Sequence, residues 1–219
     1  MKLLQDEHLK SYLLDSTISI EGYESKPEHP EQVILLLHGL GERGKRIYRK
    51  LISSLPVNAI VLAPNAPFPL SRDGQMEGVP TYAWYFYDLK ARKYITGVDL
   101  AKSSLKSLLR PYSHLPLTII GFSQGGYLAS GLLHDFPQLK RIVGIGCEFK
   151  REILREFRSV ELVSIHGKND SIISYETALT SFQSTKELFP KAKWIEVENL
   201  AHEINDDVSG IVRSLFEVQ

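Results

Sequence analysis

The feature that most constrains this chain is a regular alternation of short apolar runs with longer segments of helical spacing. The runs are rich in β-branched residues, and several are apolar at every position rather than at every second one. Such runs are typical of strands that are buried on both faces of a parallel sheet. They span residues 33–37, 59–63, 117–120, 141–145, 161–165 and 193–197.

Four segments carry apolar residues at helical spacing, and a proline follows three of them. They span residues 97–109, 124–136, 174–189 and 205–216. This alternation predicts an α/β domain in which helices flank a mostly parallel central sheet. Residues 12–25 include an alternating stretch, so we expect an antiparallel strand or hairpin there, at the N-terminal edge of the sheet.

Composition favours one ordinary globular domain over residues 1–219, since no linker-like stretch divides the chain. Hydrophobic residues make up 43% and charged residues 24% of the chain, which excludes a disordered chain or a coiled coil. The 26 basic and 26 acidic residues leave no net charge. Without a basic excess, nucleic acid is not an expected partner.

Cysteine content and hydropathy bear on the compartment. Cys147 is the only cysteine, which excludes an internal disulfide and a cysteine-rich zinc module and suits a reducing environment. The first residues lack the apolar core of a signal peptide, and no run approaches the roughly 20 apolar residues of a membrane-spanning helix. We therefore expect a cytoplasmic protein without an integral membrane segment; its oligomeric state stays open.

A possible nucleophile lies where the third apolar run meets a helical segment. Residues 121–125 read Gly-Phe-Ser-Gln-Gly, which fits the G-x-S-x-G pattern. The pattern alone is weak, but a strand-to-helix turn is where a nucleophile elbow occurs, and its tight backbone requires small neighbours. Ser123 is the candidate nucleophile.

A serine nucleophile needs a base and a group that orients the base. On this architecture the three follow in the order serine, acid, histidine, each after a strand. Asp170 and His202 satisfy that order, because each follows a later apolar run. Glu203 and Asp206 are alternative acids, although we expect them to cap the last helix.

Two other histidines end strands at the same edge of the sheet. We interpret His38 and His166 as structural residues that hold loops by hydrogen bonds, because neither follows the serine and the acid in the expected order. The oxyanion hole needs two backbone N–H donors. Gln124, which follows the nucleophile, and Leu40, in a Gly-flanked turn after the first run, are the candidates.

Residues 64–96 interrupt the alternation and are rich in proline and aromatic residues. They either patch the edge of the core or form the wall of an apolar substrate site. On the second interpretation Phe68, Trp84 and Tyr85 contact substrate. No metal-ligand cluster is visible, and the glycine pattern of residues 39–44 lacks the acidic partner of a dinucleotide site, so neither metal nor cofactor is expected.

These motifs together resemble the phospholipase/carboxylesterase family of α/β-hydrolases, which includes the acyl-protein thioesterases. The matching pieces lie at residues 37–41, 63–67, 84–88, 121–126, 166–170 and 201–203, in family order. The resemblance implies the α/β-hydrolase fold, Ser123, Asp170 and His202 as a catalytic triad, and Leu40 with Gln124 as oxyanion donors. It also implies hydrolysis of carboxylic esters or acyl thioesters without a cofactor.

Departures from the family pattern bear on the substrate. Glu42 stands where the family usually has Asp, Tyr127 replaces a small residue, Ala201 replaces a common Gly, and residues 147–150 differ. We expect a carboxylesterase or acyl thioesterase acting on a small-molecule or acylated ester or thioester. The alternatives are a non-catalytic binder of apolar ligands and a peptidase-type hydrolase on the same fold.

Overall fold

All six apolar runs form parallel strands of one seven-stranded sheet. The computed structural model describes residues 21–70, 80–88, 90–91, 93–149, 154 and 159–217. Its strands are β1 (Gly22–Ser25), β2 (Gln32–Leu37), β3 (Ala59–Pro64), β4 (Phe68–Leu70), β5 (Thr81–Ala83), β6 (Phe86–Asp88), β7 (Lys93–Thr96), β8 (Leu117–Phe122), β9 (Leu139–Ile145), β10 (Glu161–Gly167) and β11 (Lys193–Val197).

The strand order in the large sheet is β1-β3-β2-β8-β9-β10-β11, and only β1 runs antiparallel to its neighbour. The predicted mostly parallel sheet with an antiparallel N-terminal edge strand is confirmed. The part of that prediction covering residues 12–20 lies outside the described residues.

The helices are α1 (Gly44–Leu51), α2 (Asp99–Leu109), α3 (Gln124–Gly131), α4 (Tyr175–Lys186) and α5 (Asp206–Ser214). Single 3-10 turns, Ile52–Ser54 and Arg110–Tyr112, follow α1 and α2. Helix α1 was not predicted, because only Ile47 and Leu51 of its largely basic sequence are buried apolar side chains. Helix α3 ends five residues earlier than expected, since turn hydrogen bonds such as Leu132 N–H to Ala129 C=O replace its regular pattern.

Alternate residues of the central strands face two different cores. On β2, Val33, Leu35 and Leu37 belong to a cluster that includes residues of α2, α3 and α4. Ile34 and Leu36 belong to a second cluster that includes residues of α1 and α5. Burial on both faces explains why these strands read as continuous apolar runs.

The aromatic segment forms two small antiparallel ribbons, β4 with β5 and β6 with β7. Residues 71–79, which include Met76 and Val79 of this segment, lie outside the described residues. Within the described part of the chain, no helix has the length and apolar character that a bilayer crossing requires.

Candidate active site

Ser123 occupies a strained turn between β8 and α3. Its φ of 50° and ψ of −117° make it the one non-glycine residue with positive φ among those described. The turn needs its flanking glycines: a Cβ at Gly121 would lie 2.4 Å from the Gly125 carbonyl oxygen, and one at Gly125 would lie 2.2 Å from the Leu37 carbonyl oxygen. Backbone strain of this kind is concentrated at functional sites.

Asp170 and His202 lie in the loops after β10 and β11 and are joined by a short hydrogen bond. The distance from His202 Nδ1 to Asp170 Oδ2 is 2.7 Å. The other carboxylate oxygen, Oδ1, accepts the backbone N–H groups of Ile172 and Ile173, each at 2.9 Å. Because Asp170 is only 5% exposed, these bonds fix its orientation.

Gly146, directly after β9, lies between the serine turn and this pair. The Ser123 N–H donates at 2.9 Å to the carbonyl of Ile145, the residue that precedes Gly146. A Cβ at Gly146 would lie 3.3 Å from His202 Nδ1 and 3.4 Å from Asp170 Oδ2. The structure therefore brings the three predicted residues to one edge of the sheet.

The His202 ring packs against the residue that precedes the serine. The rings of His202 and Phe122, the residue before the serine, have centroids 4.9 Å apart. Within the described residues, the side-chain hydrogen bond of His202 is the one to Asp170. A serine–histidine bond often tightens only when substrate binds.

The two predicted oxyanion donors are backbone N–H groups without acceptors among the described residues. The N–H groups on either side of Leu40 are engaged: that of Gly39 by Glu42 Oε2 at 3.2 Å, and that of Gly41 by the Tyr82 carbonyl at 3.0 Å. Gln124 is the first residue of α3, where N–H groups have no intrahelical partner. Among the described residues, no acceptor therefore competes for either group.

His38 holds the loop after β2. It is buried, its Nδ1 lies 2.7 Å from the Gly39 carbonyl oxygen, and its Nε2 accepts the Ala66 N–H at 3.0 Å. Nδ1 therefore carries the ring proton. Burial lowers the pKa of His38 to about 4, so the ring is neutral at pH 7.

His166 holds the acid loop. It is fully buried, its Nε2 donates to the Ile173 carbonyl at 2.9 Å, and it lies 3.7 Å from Asp170 Oδ2. The alternative acids are placed differently: Glu203 is exposed, and Asp206 lies in the first turn of α5. Asn205, rather than either acid, caps α5 by accepting the Val208 N–H at 3.1 Å.

The predicted substrate residues divide into two kinds. Phe68 and Tyr85 are half-buried, with Phe68 against the Phe86 ring at 5.6 Å and Tyr85 edge-on to Tyr94 at 5.5 Å. Trp84, the third predicted substrate residue, is 0% exposed and packs in the core, so in this conformation it has no surface open to substrate. Its alternative role as core is what the structure shows.

Polar groups accompany the aromatic side of the site. Burial and the carboxylate of Glu148 raise the pKa of the Tyr127 hydroxyl, and burial and Tyr94 raise that of Tyr85.

Within the part of the chain that the structure describes, no cluster of three or more His, Cys, Asp or Glu side chains could hold a metal ion.

The model of the phospholipase/carboxylesterase family matches residues 20–216, nearly the whole chain. The chain belongs to this family. The family resemblance that the sequence motifs indicated is thus confirmed. No curated protein sequence matches the chain significantly.

Solved structures similar to this family member show the same fold. Esterase PE8 has a TM-score of 0.72 at 23% identity, over 90% of this chain and 98% of its own. Acyl-protein thioesterase 2 of Zea mays has a TM-score of 0.69 at 21% identity, over 89% of this chain and 97% of its own. A Bacillus cereus carboxylesterase has a TM-score of 0.68 at 17% identity, over 90% of this chain and 93% of its own. The predicted α/β-hydrolase fold is confirmed; identities this low show no more than the fold.

Two polar side chains near the donors escaped the sequence interpretation. Glu42 binds the Gly39 N–H and, through Oε1, the Arg46 guanidinium at 3.0 Å. The Gln124 amide binds the backbone of Trp84 and Tyr85 at 2.9 and 2.8 Å. The i, i+4 spacing of Glu42 and Arg46 is a sequence signal for the ion pair of Glu42. The partners of Gln124 lie 40 residues away in sequence, and no local pattern shows them.

Proposed function

We propose that this chain is a serine hydrolase that cleaves carboxylic esters or acyl thioesters through Ser123, His202 and Asp170. The observation that carries the proposal is the 2.7 Å bond from His202 Nδ1 to Asp170 Oδ2, at the sheet edge where Ser123 occupies its strained turn. A serine beside an oriented imidazole is the arrangement that acyl transfer requires. Membership of a family of phospholipases and carboxylesterases supports this reaction class.

The mechanism begins with attack of Ser123 Oγ on the substrate carbonyl carbon. His202 Nε2 takes the hydroxyl proton, and the carbonyl oxygen becomes an anion. The backbone N–H groups of Leu40 and Gln124 bind that oxygen, whose charge they stabilise without reorganising. His202 then gives its proton to the departing alcohol or thiol, which leaves an acyl-enzyme on Ser123.

Deacylation repeats these steps with water as the nucleophile. His202 takes a proton from the water, hydroxide adds to the acyl carbon, and Ser123 Oγ leaves with the proton that His202 returns. Asp170 keeps the ring proton on Nδ1 throughout, because its Oδ2 accepts that proton while its Oδ1 is held by two backbone N–H groups. The products are a carboxylic acid and an alcohol or thiol.

The acyl chain is expected to lie along the aromatic segment. Phe68 and Tyr85 are half-buried there, in the segment whose Tyr82 carbonyl accepts the N–H of Gly41, the residue after Leu40. The expected substrate is a small-molecule or acylated ester or thioester with an apolar acyl group. The sequence-based expectation of a cytoplasmic location, without nucleic-acid binding, stays a prediction.

Hydrolysis of a panel of p-nitrophenyl esters, acyl thioesters and peptides tests the proposal. The wild type should cleave esters or thioesters, and Ser123→Ala and His202→Ala should each lower kcat by more than about 10³-fold. Far-UV circular dichroism should show that both variants fold. Activity near wild type in His202→Ala would overturn the base, peptide cleavage above ester cleavage would favour a peptidase, and binding without turnover would indicate a non-catalytic ligand binder.

A further inference from the structure

Trp84 makes polar bonds on two sides that the proposed mechanism does not use. Its indole Nε1–H donates to the His38 carbonyl at 2.9 Å, and its backbone N–H donates to Gln124 Oε1 at 2.9 Å. The Gln124 amide also donates to the carbonyl of Tyr85 at 2.8 Å. One fully buried residue is therefore bonded to the segments that carry both proposed oxyanion donors.

Hydrogen bonds orient the Leu40 loop: besides the bond from Trp84 to the His38 carbonyl, the N–H groups of Gly39 and Gly41 donate to Glu42 and to the Tyr82 carbonyl. The Leu40 side chain is 56% exposed, and a Cβ at Gly41, which has a φ of +71°, would meet nothing within 4 Å. Side-chain packing therefore does little to fix the direction of the Leu40 N–H. His38, two residues earlier, is in contrast held by ring hydrogen bonds to Gly39 and Ala66 and by its carbonyl bond to Trp84.

Gln124 fixes the other side of the connection. Its backbone N–H is the second proposed donor, and its side-chain amide binds one N–H and one C=O of the segment 84–85. The His38 and Trp84 rings are also in contact, with centroids 5.0 Å apart. The chain of bonds thus runs from Gln124 through Trp84 to His38, and from there along the backbone to Leu40.

We infer that Trp84 is a positioning residue that sets the spacing of the Leu40 and Gln124 N–H groups, an inference that rests on the proposed function. An oxyanion hole works because its donors are preorganised for the charge that develops in the transition state. Losing the indole N–H releases the His38 carbonyl and lets one donor drift relative to the other. Ground-state binding of the acyl group changes little, since Trp84 has no surface open to substrate.

Trp84→Phe is the direct test, because phenylalanine keeps a ring in the core and lacks the N–H. Tyr112→Phe is the control for loss of one aromatic side-chain donor: the Tyr112 hydroxyl donates to Glu24 Oε1 at 3.0 Å, a contact between β1 and the 3-10 turn after α2. Trp84→Phe should lower kcat for p-nitrophenyl ester hydrolysis about 10- to 100-fold with KM within about twofold. That is less than the roughly 10²- to 10³-fold loss from removing a donor outright. Tyr112→Phe should keep wild-type kcat.

Two further measurements separate positioning from a general packing defect. Gln124→Met removes the side-chain bonds but keeps the backbone donor and leaves Trp84 in place, so it should lower kcat like Trp84→Phe. A trifluoromethyl ketone, whose serine adduct carries an anionic oxygen, should lose affinity in both variants in proportion to their loss of kcat/KM.

The outcomes are distinguishable from failure of the proposed function. A wild type without esterase or thioesterase activity, or an active Ser123→Ala, overturns the proposed function and this role with it. An active wild type whose Trp84→Phe variant keeps kcat, or changes only KM, overturns the positioning role alone. If Trp84→Phe does not fold, unchanged kcat in a folded Gln124→Met would overturn it equally.

Discussion

At the scale of single residues, Asp170 is held by more bonds than any other group of the proposed triad. Both its oxygens accept hydrogen bonds, and His166 lies 3.7 Å from the oxygen that binds His202. A carboxylate held in this way can select one tautomer of the imidazole. Its contribution to catalysis should therefore be large and should depend on its charge and acceptor geometry, not only on its presence.

Asp170→Asn should lower kcat by about 10⁴-fold, because an amide that donates to Nδ1 stabilises the wrong tautomer of His202. Steady-state kinetics on a p-nitrophenyl ester measure the loss. Glu203→Gln is the matched control, since Glu203 neighbours His202 in sequence and is exposed. A larger loss in Glu203→Gln than in Asp170→Asn would move the role of the acid to Glu203.

His38 should make the stability of the protein depend on pH in acid. Burial lowers its pKa from 6.5 to about 4, so the unfolded chain binds a proton in this interval that the folded protein does not. The contribution of His38 to the free energy of unfolding is fully present above about pH 6.5. It falls by about 3 kcal/mol as the pH is lowered toward 4.

Urea unfolding at several pH values between 4 and 7 measures this dependence. His38→Asn retains a side-chain donor for the Gly39 carbonyl but cannot bind the proton, so its stability should vary less over the same interval. Identical pH dependence in the two proteins would show that His38 is not the titrating group.

At the scale of elements, the junction of β8 and α3 is the least tolerant part of the fold. Gly125 packs against the carbonyl of Leu37 in the neighbouring strand β2, so the close approach of α3 to the sheet depends on the absence of a side chain. Gly210, in the middle of α5, is exposed, and a Cβ there would meet no atom within 4 Å.

Gly125→Ala should disrupt this junction, with loss of folded protein or a fall in stability of several kcal/mol, because the added Cβ would overlap the Leu37 carbonyl oxygen and no rotamer change can move a Cβ. Gly210→Ala, the same substitution in a helix without the contact, should raise stability by about 0.5–1 kcal/mol. Thermal and urea unfolding measure both. Equal effects of the two substitutions would contradict the packing described for Gly125.

The sequence predicted elements well where the apolar pattern is continuous or periodic, and poorly where an element buries only one or two side chains. The continuous apolar runs 33–37 and 59–63 became strands because both their faces are covered. Helix α1 was missed since its two buried apolar residues are too few to give a period. The small ribbons of the aromatic segment were missed because three- and four-residue strands have no readable alternation.

The site shows the same division between local and distant signals. Ser123, Asp170 and His202 could be predicted because each follows a strand in a fixed order along the chain. Trp84 could not be placed, because an aromatic residue in a Pro-rich segment reads equally as core and as pocket wall. In the fold it bonds to His38 and Gln124, which lie 46 and 40 residues away in the sequence.

At the scale of the whole molecule, the aromatic segment next to the loop of Leu40 should set the preference for acyl chain length. Apolar contact contributes about 0.8 kcal/mol per buried CH₂, so each methylene that fits should raise kcat/KM about fourfold over acetate until the pocket is full. A series of p-nitrophenyl esters from acetate to hexanoate measures this slope.

Phe68→Ala should reduce the rise of kcat/KM with acyl chain length more than it reduces kcat/KM for acetate, because Phe68 is half-buried in the segment. Phe216→Ala is the control: Phe216 packs against Arg141 near the start of β9, at the opposite end of the strand from the site. A wild-type series that stays flat or falls from acetate to hexanoate would show that the aromatic segment is core or interface.

The most direct test of the whole account is covalent labelling of the serine by a fluorophosphonate, with the adduct located by peptide mass spectrometry. We expect one adduct per chain, on Ser123, no adduct in Ser123→Ala, and a labelling rate greatly reduced in His202→Ala, because the reagent reacts with a serine that a base has activated. An unlabelled wild type, an adduct on another residue, or His202→Ala labelled at the wild-type rate would contradict it.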